Sequence, residues 1–138
     1  MKPLSKYEIH TKASVWLWAI WFFGVLPSIA QESENSVDQT ILIFGDSLTA
    51  GYGVDYDQAY PNILQSLLKA DGLPFEVIPS GVSGETTAGG LRRIDWVMRK
   101  PVDIFVLALG GNDGLRGIDL EDTKRNLIGI AKRVKTKS

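Results

Sequence analysis

Beyond residue 40 the apolar positions fall into short runs that alternate with segments of helical period. Ile41-Leu42-Ile43-Phe44, mostly β-branched or aromatic, predicts a buried strand over 40–44 that stops at Gly45. In the next segment Ile63, Leu64, Leu67 and Leu68 share one face, with Pro61 suited to the first helical position and Gly72 to the stop. That pattern predicts a helix over 61–70, followed by a short strand over 75–78. A second helix is predicted over 87–99, with Leu91, Ile94, Val97 and Met98 inward and Arg92, Arg93 and Arg99 outward. Gly89 and Gly90 near its start either loosen the first turn or allow close packing. Residues 104–109 form a continuous apolar strand of the kind buried on both faces of a parallel sheet. A last helix, 119–134, is expected to bury Leu120, Leu127, Ala131 and Val134. Its acidic start (Asp119, Glu121, Asp122) and basic end (Lys132, Arg133, Lys135) match the helix dipole. Strand and helix in strict alternation predict an α/β fold with a parallel sheet and right-handed crossovers.

The chain ahead of this region has a different character. Lys2, Lys6 and Lys12 precede an apolar run from Ala13 to Leu26 that contains Trp16, Trp18, Trp21, Phe22 and Phe23. Pro27 then breaks the run, and Ser28-Ile29-Ala30 places small residues where a signal peptidase needs them. Residues 1–30 are therefore expected to be a signal peptide cleaved after Ala30, with an uncleaved anchor as the alternative. The run is shorter than the roughly 20 residues of a spanning helix. The polar, acidic stretch 31–39 is expected to be a flexible lead-in, and residues 40–138 the folded domain. Export to the periplasm or outside the cell follows from this reading.

Composition narrows the chemistry. A length of 138 residues, 44% hydrophobic and 22% charged, suits one globular domain. A net charge of −1 gives no electrostatic footprint for nucleic acid. With no cysteine there is no disulfide, thiolate zinc site or cysteine nucleophile, and one histidine disfavours a His-based metal site. No metal or organic cofactor is expected. Membrane contact is expected only through the leading segment or a lipid substrate, and the sequence does not reveal an oligomeric state.

Each predicted strand ends in a small, polar turn: Gly45-Asp46-Ser47, then Val82-Ser83-Gly84-Glu85-Thr86, then Gly110-Gly111-Asn112-Asp113-Gly114. Strand exits are where open α/β sheets bind ligands. A serine hydroxyl there can act as a nucleophile, or it can cap the following helix. Gly84 can expose its N–H or simply make a turn, and Asn112 can offer a neutral donor or hold its own loop through an Asx-turn. Asp46 and Asp113 are expected to brace these turns, because a carboxylate beside a developing oxyanion would oppose it.

With Ser47, Gly84 and Asn112 in this order, the chain resembles the GDSL or SGNH hydrolases, a family of serine esterases and lipases. The wording Gly110-Gly111-Asn112-Asp113-Gly114-Leu115-Arg116-Gly117 is most similar to the bacterial branch of thioesterase, lysophospholipase and arylesterase enzymes. The resemblance runs from about Thr40 to the end of the chain. It implies a three-layer α/β/α sandwich of flavodoxin-like type with more strands than these, so the C-terminal side of the domain is expected to be absent. It further implies that Ser47 attacks an acyl ester or thioester while the N–H groups of Ser47 and Gly84 and the amide of Asn112 hold the oxyanion.

One family motif is not found. The family completes its site with Asp-x-x-His, whereas the single histidine here is His10, ahead of the apolar run. The sequence is therefore expected to be a truncated piece of a longer enzyme, inactive alone. The alternative is a non-catalytic acyl- or glycan-binding relic of the same fold; a membrane-tethered ligand module is a third possibility. Rival motifs fail: no Gly-x-Ser-x-Gly surrounds Ser47 or Ser83, and there is no phosphate loop. Gly51-Tyr52-Gly53 does not extend to a dinucleotide fingerprint. The Arg92-Arg93 and Lys132-Arg133-Val134-Lys135 clusters are expected to be solvated helix faces and ends.

Overall fold

The computed structural model describes residues 39–137. The expected signal peptide, His10 and nearly all of the expected lead-in lie outside these residues. Gln39, assigned to the lead-in, is instead the first residue of β1. Strand β1 (Gln39–Gly45) pairs in parallel with β2 (Phe75–Gly81) on one side and β3 (Ile104–Ala108) on the other, giving the order β2-β1-β3. Helix α1 (Tyr60–Ala70) follows β1, α2 (Thr87–Val97) follows β2, and the short α3 (Gly111–Leu115) and α4 (Leu120–Lys135) follow β3.

The alternation of β1 side chains builds the three layers. Leu42 and Phe44 point to one face, where they meet Ile94 and Met98 of α2 and Ile130 and Val134 of α4. Ile41 and Ile43 point to the other, with Val77, and are covered by Leu64 and Leu68 of α1. The central strand is thus buried on both sides, as its uninterrupted apolar run requires. Each such side chain removed from water contributes about 1.5–3 kcal/mol before the entropy of ordering is subtracted.

Several expectations need correction. Strand β2 continues three residues beyond Ile78, because β1 pairs with it along its full length from Gln39↔Phe75 to Gly45↔Gly81. It accommodates Pro79 because, among the described residues, β2 is an edge strand with one side free of ladder bonds. Strand β3 is not covered on both faces: Phe105 and Leu107 pack toward α2 and α4, while Ile104 and Val106 are exposed. Among the described residues, α1 screens only the β1 and β2 part of that second face. On α1, Ile63 and Leu67 are exposed, although they lie beside Leu64 and Leu68. In α4 the inward stripe runs through Ile130 and Val134, and Leu120 is 81% exposed. Its close approach to α2 decides this, since a Cβ on Gly129 would lie 3.0 Å from Leu91 Cδ1. Ala131 is also exposed.

The starts of α2 and α4 are made by local side chains. Thr86 Oγ1 accepts from the N–H of Gly89 at the start of α2, and Asp119 accepts from the N–H groups of Glu121 and Asp122 at the start of α4. The Gly89-Gly90 pair serves close packing, for a Cβ on Gly90 would lie 2.4 Å from Leu109 Cδ1 and 3.0 Å from Phe44 Cε1. Among the described residues no helix is long and apolar enough to cross a membrane.

Candidate active site

Three turns at the carboxyl ends of the parallel strands carry Ser47, Gly84 and Asn112. The first turn is folded back tightly on its strand. Asp46 carbonyl accepts from Ala50 N–H at 3.0 Å, Ser47 carbonyl accepts from Tyr52 N–H at 2.9 Å, and Asp46 Oδ1 accepts from Leu48 N–H at 3.0 Å. Ser47 does not cap a helix: the residues after it form turns, and the N-cap of α1 is Ala59. Its side chain makes no hydrogen bond with another described residue. Asp46, nearly buried, braces this turn as expected.

Gly84 occupies a left-handed conformation, φ +75°, that residues with a Cβ rarely adopt. Its carbonyl accepts from Arg116 Nη2 at 2.8 Å, so the third turn holds the second from the side. Asn112 lies on α3, a helical turn that sequence pattern did not reveal, and it reaches both other loops. Its amide Nδ2 donates to the Glu85 carbonyl at 3.0 Å and makes a longer contact of 3.4 Å with Asp46 Oδ2. No Asx-turn within its own loop is formed. The structure therefore brings Asn112 onto the loop of Gly84 and the loop of Ser47 together. Asp113, buried, braces the start of α2 by accepting from Thr87 N–H at 2.8 Å and Thr87 O–H at 2.6 Å.

Two residues that sequence reasoning placed elsewhere, or passed over, stand just behind this site. Arg93 is not a solvated helix residue. Its Nε donates to Glu85 at 2.9 and 2.7 Å, its Nη2 also pairs with Glu85, and its Nη1 donates to Ser80 Oγ at 2.9 Å. Its Nη2 donates further to the carbonyls of Ser80 at 2.9 Å and Gly45 at 3.3 Å, and the guanidinium lies 4.0 Å from the centroid of Phe44. Position 93 lies three residues from Gly90 and four from Val97, on the inward side of α2, and that spacing was the available signal. Glu85 had no such signal, because its partner is selected by the fold.

Ser47, Gly84 and Asn112 thus stand on the turns at three strand exits of an α/β/α sandwich. The sequence profile of the GDSL-like lipase/acylhydrolase family matches residues 43–138, and the chain belongs to that family. Esterase TesA of Pseudomonas aeruginosa is 36% identical over 105 residues, covering 75% of this chain and 52% of that protein. Thioesterase 1/protease 1/lysophospholipase L1 of Escherichia coli is 37% identical over 116 residues, covering 83% of this chain and 54% of that protein. Among solved structures, that of AlinE4, described as an SGNH-hydrolase family esterase, superposes with a TM-score of 0.67 at 42% identity. It covers 72% of this chain and 55% of AlinE4. The chain thus spans about half the length of the curated relatives it matches. The resemblance drawn from Ser47, Gly84 and Asn112 is borne out at the level of family and fold.

Proposed function

We propose that the protein is a serine hydrolase of carboxylic esters or thioesters, with Ser47 as nucleophile. The observation that carries this reading is the Asn112 amide, whose two partners lie on the loops of Ser47 and Gly84. In this reading the N–H groups of Ser47 and Gly84 join Asn112 in holding the oxyanion formed when Ser47 attacks an acyl carbonyl. One Asn112 hydrogen is held by the Glu85 carbonyl. The other, in the longer contact with Asp46, is the one available to the oxyanion. Such donors stabilise negative charge as it develops on the carbonyl oxygen. The family match and the esterase and thioesterase names of the relatives support the substrate class.

A serine hydroxyl needs a base to accept its proton. Residues 39–137 contain no histidine, so the reading makes Ser47 reactivity depend on an imidazole that they do not supply. Export from the cytoplasm belongs to the same reading and rests on Lys2, Lys6, the apolar run and Ser28-Ile29-Ala30.

A fluorophosphonate probe and a chromogenic acyl ester test the assignment. The 138-residue chain should react weakly, and a longer version bearing an Asp-x-x-His motif should be modified at Ser47 and turn over. In that version Ser47→Ala should abolish acyl-enzyme, and Asn112→Ala should lower kcat about a hundredfold with little change in KM. Undiminished turnover in Ser47→Ala would remove Ser47 from the mechanism.

A further inference from the structure

We propose that Arg93 and Glu85 form the positioning device of the proposed oxyanion hole, an inference that rests on the serine hydrolase reading above. The Glu85 side chain is only 7% exposed and that of Arg93 21% exposed, so this is a largely desolvated pair. A charged pair so placed is retained at a cost in hydration unless its hydrogen bonds are filled. Here they are filled by the structural parts that have to be held together. Arg93 Nη2 grips the carbonyl of Gly45, whose peptide leads directly into Asp46 and Ser47. The same nitrogen and Nη1 grip Ser80 at the end of β2, four residues before Gly84. Its Nε fixes the Glu85 carboxylate, and the main-chain carbonyl of Glu85 anchors the Asn112 amide.

One guanidinium therefore ties the exits of β1 and β2 directly, and the exit of β3 joins them through the Asn112 contact with the Glu85 carbonyl. The guanidinium lies 4.0 Å over the ring of Phe44, which is fully buried beneath it. Lysine cannot take this place, because its single ammonium has no fork to span a carboxylate and two carbonyls. The carboxylate of Glu85 neutralises the arginine, so the device adds alignment without adding net charge beside the oxyanion. Arg93 and Glu85 touch no reacting atom. They act through Asn112 and the backbone around Gly84.

The test compares Arg93→Lys and Glu85→Gln, the second conserving side-chain volume should the first fold poorly. In the hydrolytically competent protein each should lower kcat, by about a hundredfold for a misplacement of an ångström, with KM nearly unchanged. In the Asn112→Ala background the same substitutions should have a smaller further effect on kcat than in the parent, because one of the three donors they align is gone. In parallel, the Asn112 side-chain amide resonances of the 138-residue chain should shift and exchange faster in both variants, while the Ile130 backbone amide stays protected. Kinetic effects that add fully to Asn112→Ala, or Asn112 amide signals unchanged in both variants, would overturn the proposal. If Asn112→Ala alone leaves kcat intact while its amide responds to Arg93→Lys, the oxyanion assignment fails and the positioning stands.

Discussion

Asp113 and Thr87, 26 positions apart, are joined by two hydrogen bonds: Thr87 O–H donates to Oδ1 at 2.6 Å and Thr87 N–H to Oδ2 at 2.8 Å. Asp113 is 1% exposed and Thr87 wholly buried, so no water replaces either bond. Asn126 Nδ2 also donates to Thr87 Oγ1 at 3.1 Å, which extends the contact to α4. The turn that carries Asn112 is thereby fastened to the first residue of α2. Asp113→Ala should strip the buried Thr87 N–H of its acceptor and lower stability by roughly 2–4 kcal/mol. Urea unfolding that shifts the midpoint at constant slope would measure this, and an unchanged midpoint would show the contact to be unimportant.

The end of β2 has no room for a side chain. A Cβ on Gly81 would lie 2.3 Å from Ala50 N and 2.7 Å from both Asp46 O and Thr49 C, all of them main-chain atoms of the Ser47 turn. Backbone cannot rotate away as a side chain can, so either β2 or the turn has to move. Gly81→Ala is expected to destabilise by about 1–3 kcal/mol. For a domain of this size each kcal/mol corresponds to about 4–8 °C in Tm. Calorimetry checks the magnitude, and a Tm equal to that of the parent chain would contradict the close packing.

Thr40 and Asp103 fix the register between β1 and β3. Thr40 N–H donates to Asp103 Oδ2 at 2.7 Å and the Thr40 hydroxyl donates to the same oxygen at 3.0 Å, just before the Ile41↔Ile104 pair. The Thr40 backbone N–H, and then its hydroxyl, hold Asp103 below its ordinary pKa of 3.8. A carboxylate favoured in the folded state stabilises above the unfolded pKa of about 4, and that contribution is lost as pH falls through the folded value. Asp103→Asn should therefore lower Tm at pH 7, and the gap from the parent should close below about pH 4. A gap independent of pH would contradict this origin.

Export is tested by mass. Ser28 and Ala30 occupy the small-residue positions ahead of Gln31, so cleavage after Ala30 is expected. The intact mass of protein recovered from the exported fraction should lack residues 1–30. A mass that retains Trp16 to Phe23 would favour a membrane anchor instead.

Much of the fold was legible in the chain because its signals are local. The run Ile41 to Phe44 reads as a buried strand and is one. Pro61 opens the region of α1 and Gly72, at φ +68°, follows its end, as residue chemistry dictates. Ser47, Gly84 and Asn112 stand in three small polar turns at strand exits, and their order carried the resemblance to the GDSL or SGNH hydrolases from which their proposed roles come. What the chain could not reveal depends on which surfaces meet. Leu120 and Ile130 are equally apolar in sequence, yet only Ile130 is buried, because α2 approaches α4 at Gly129. The reach of β2 to Gly81 was set by its partner β1, not by its own residues. Arg93 reads as one of two adjacent surface arginines until the fold places Glu85, Ser80, Gly45 and Phe44 around it. Local propensity determines the elements and the small residues of their turns. The long-range partners of charged and half-buried side chains exist only once the layers have packed, and tertiary structure alone decides them.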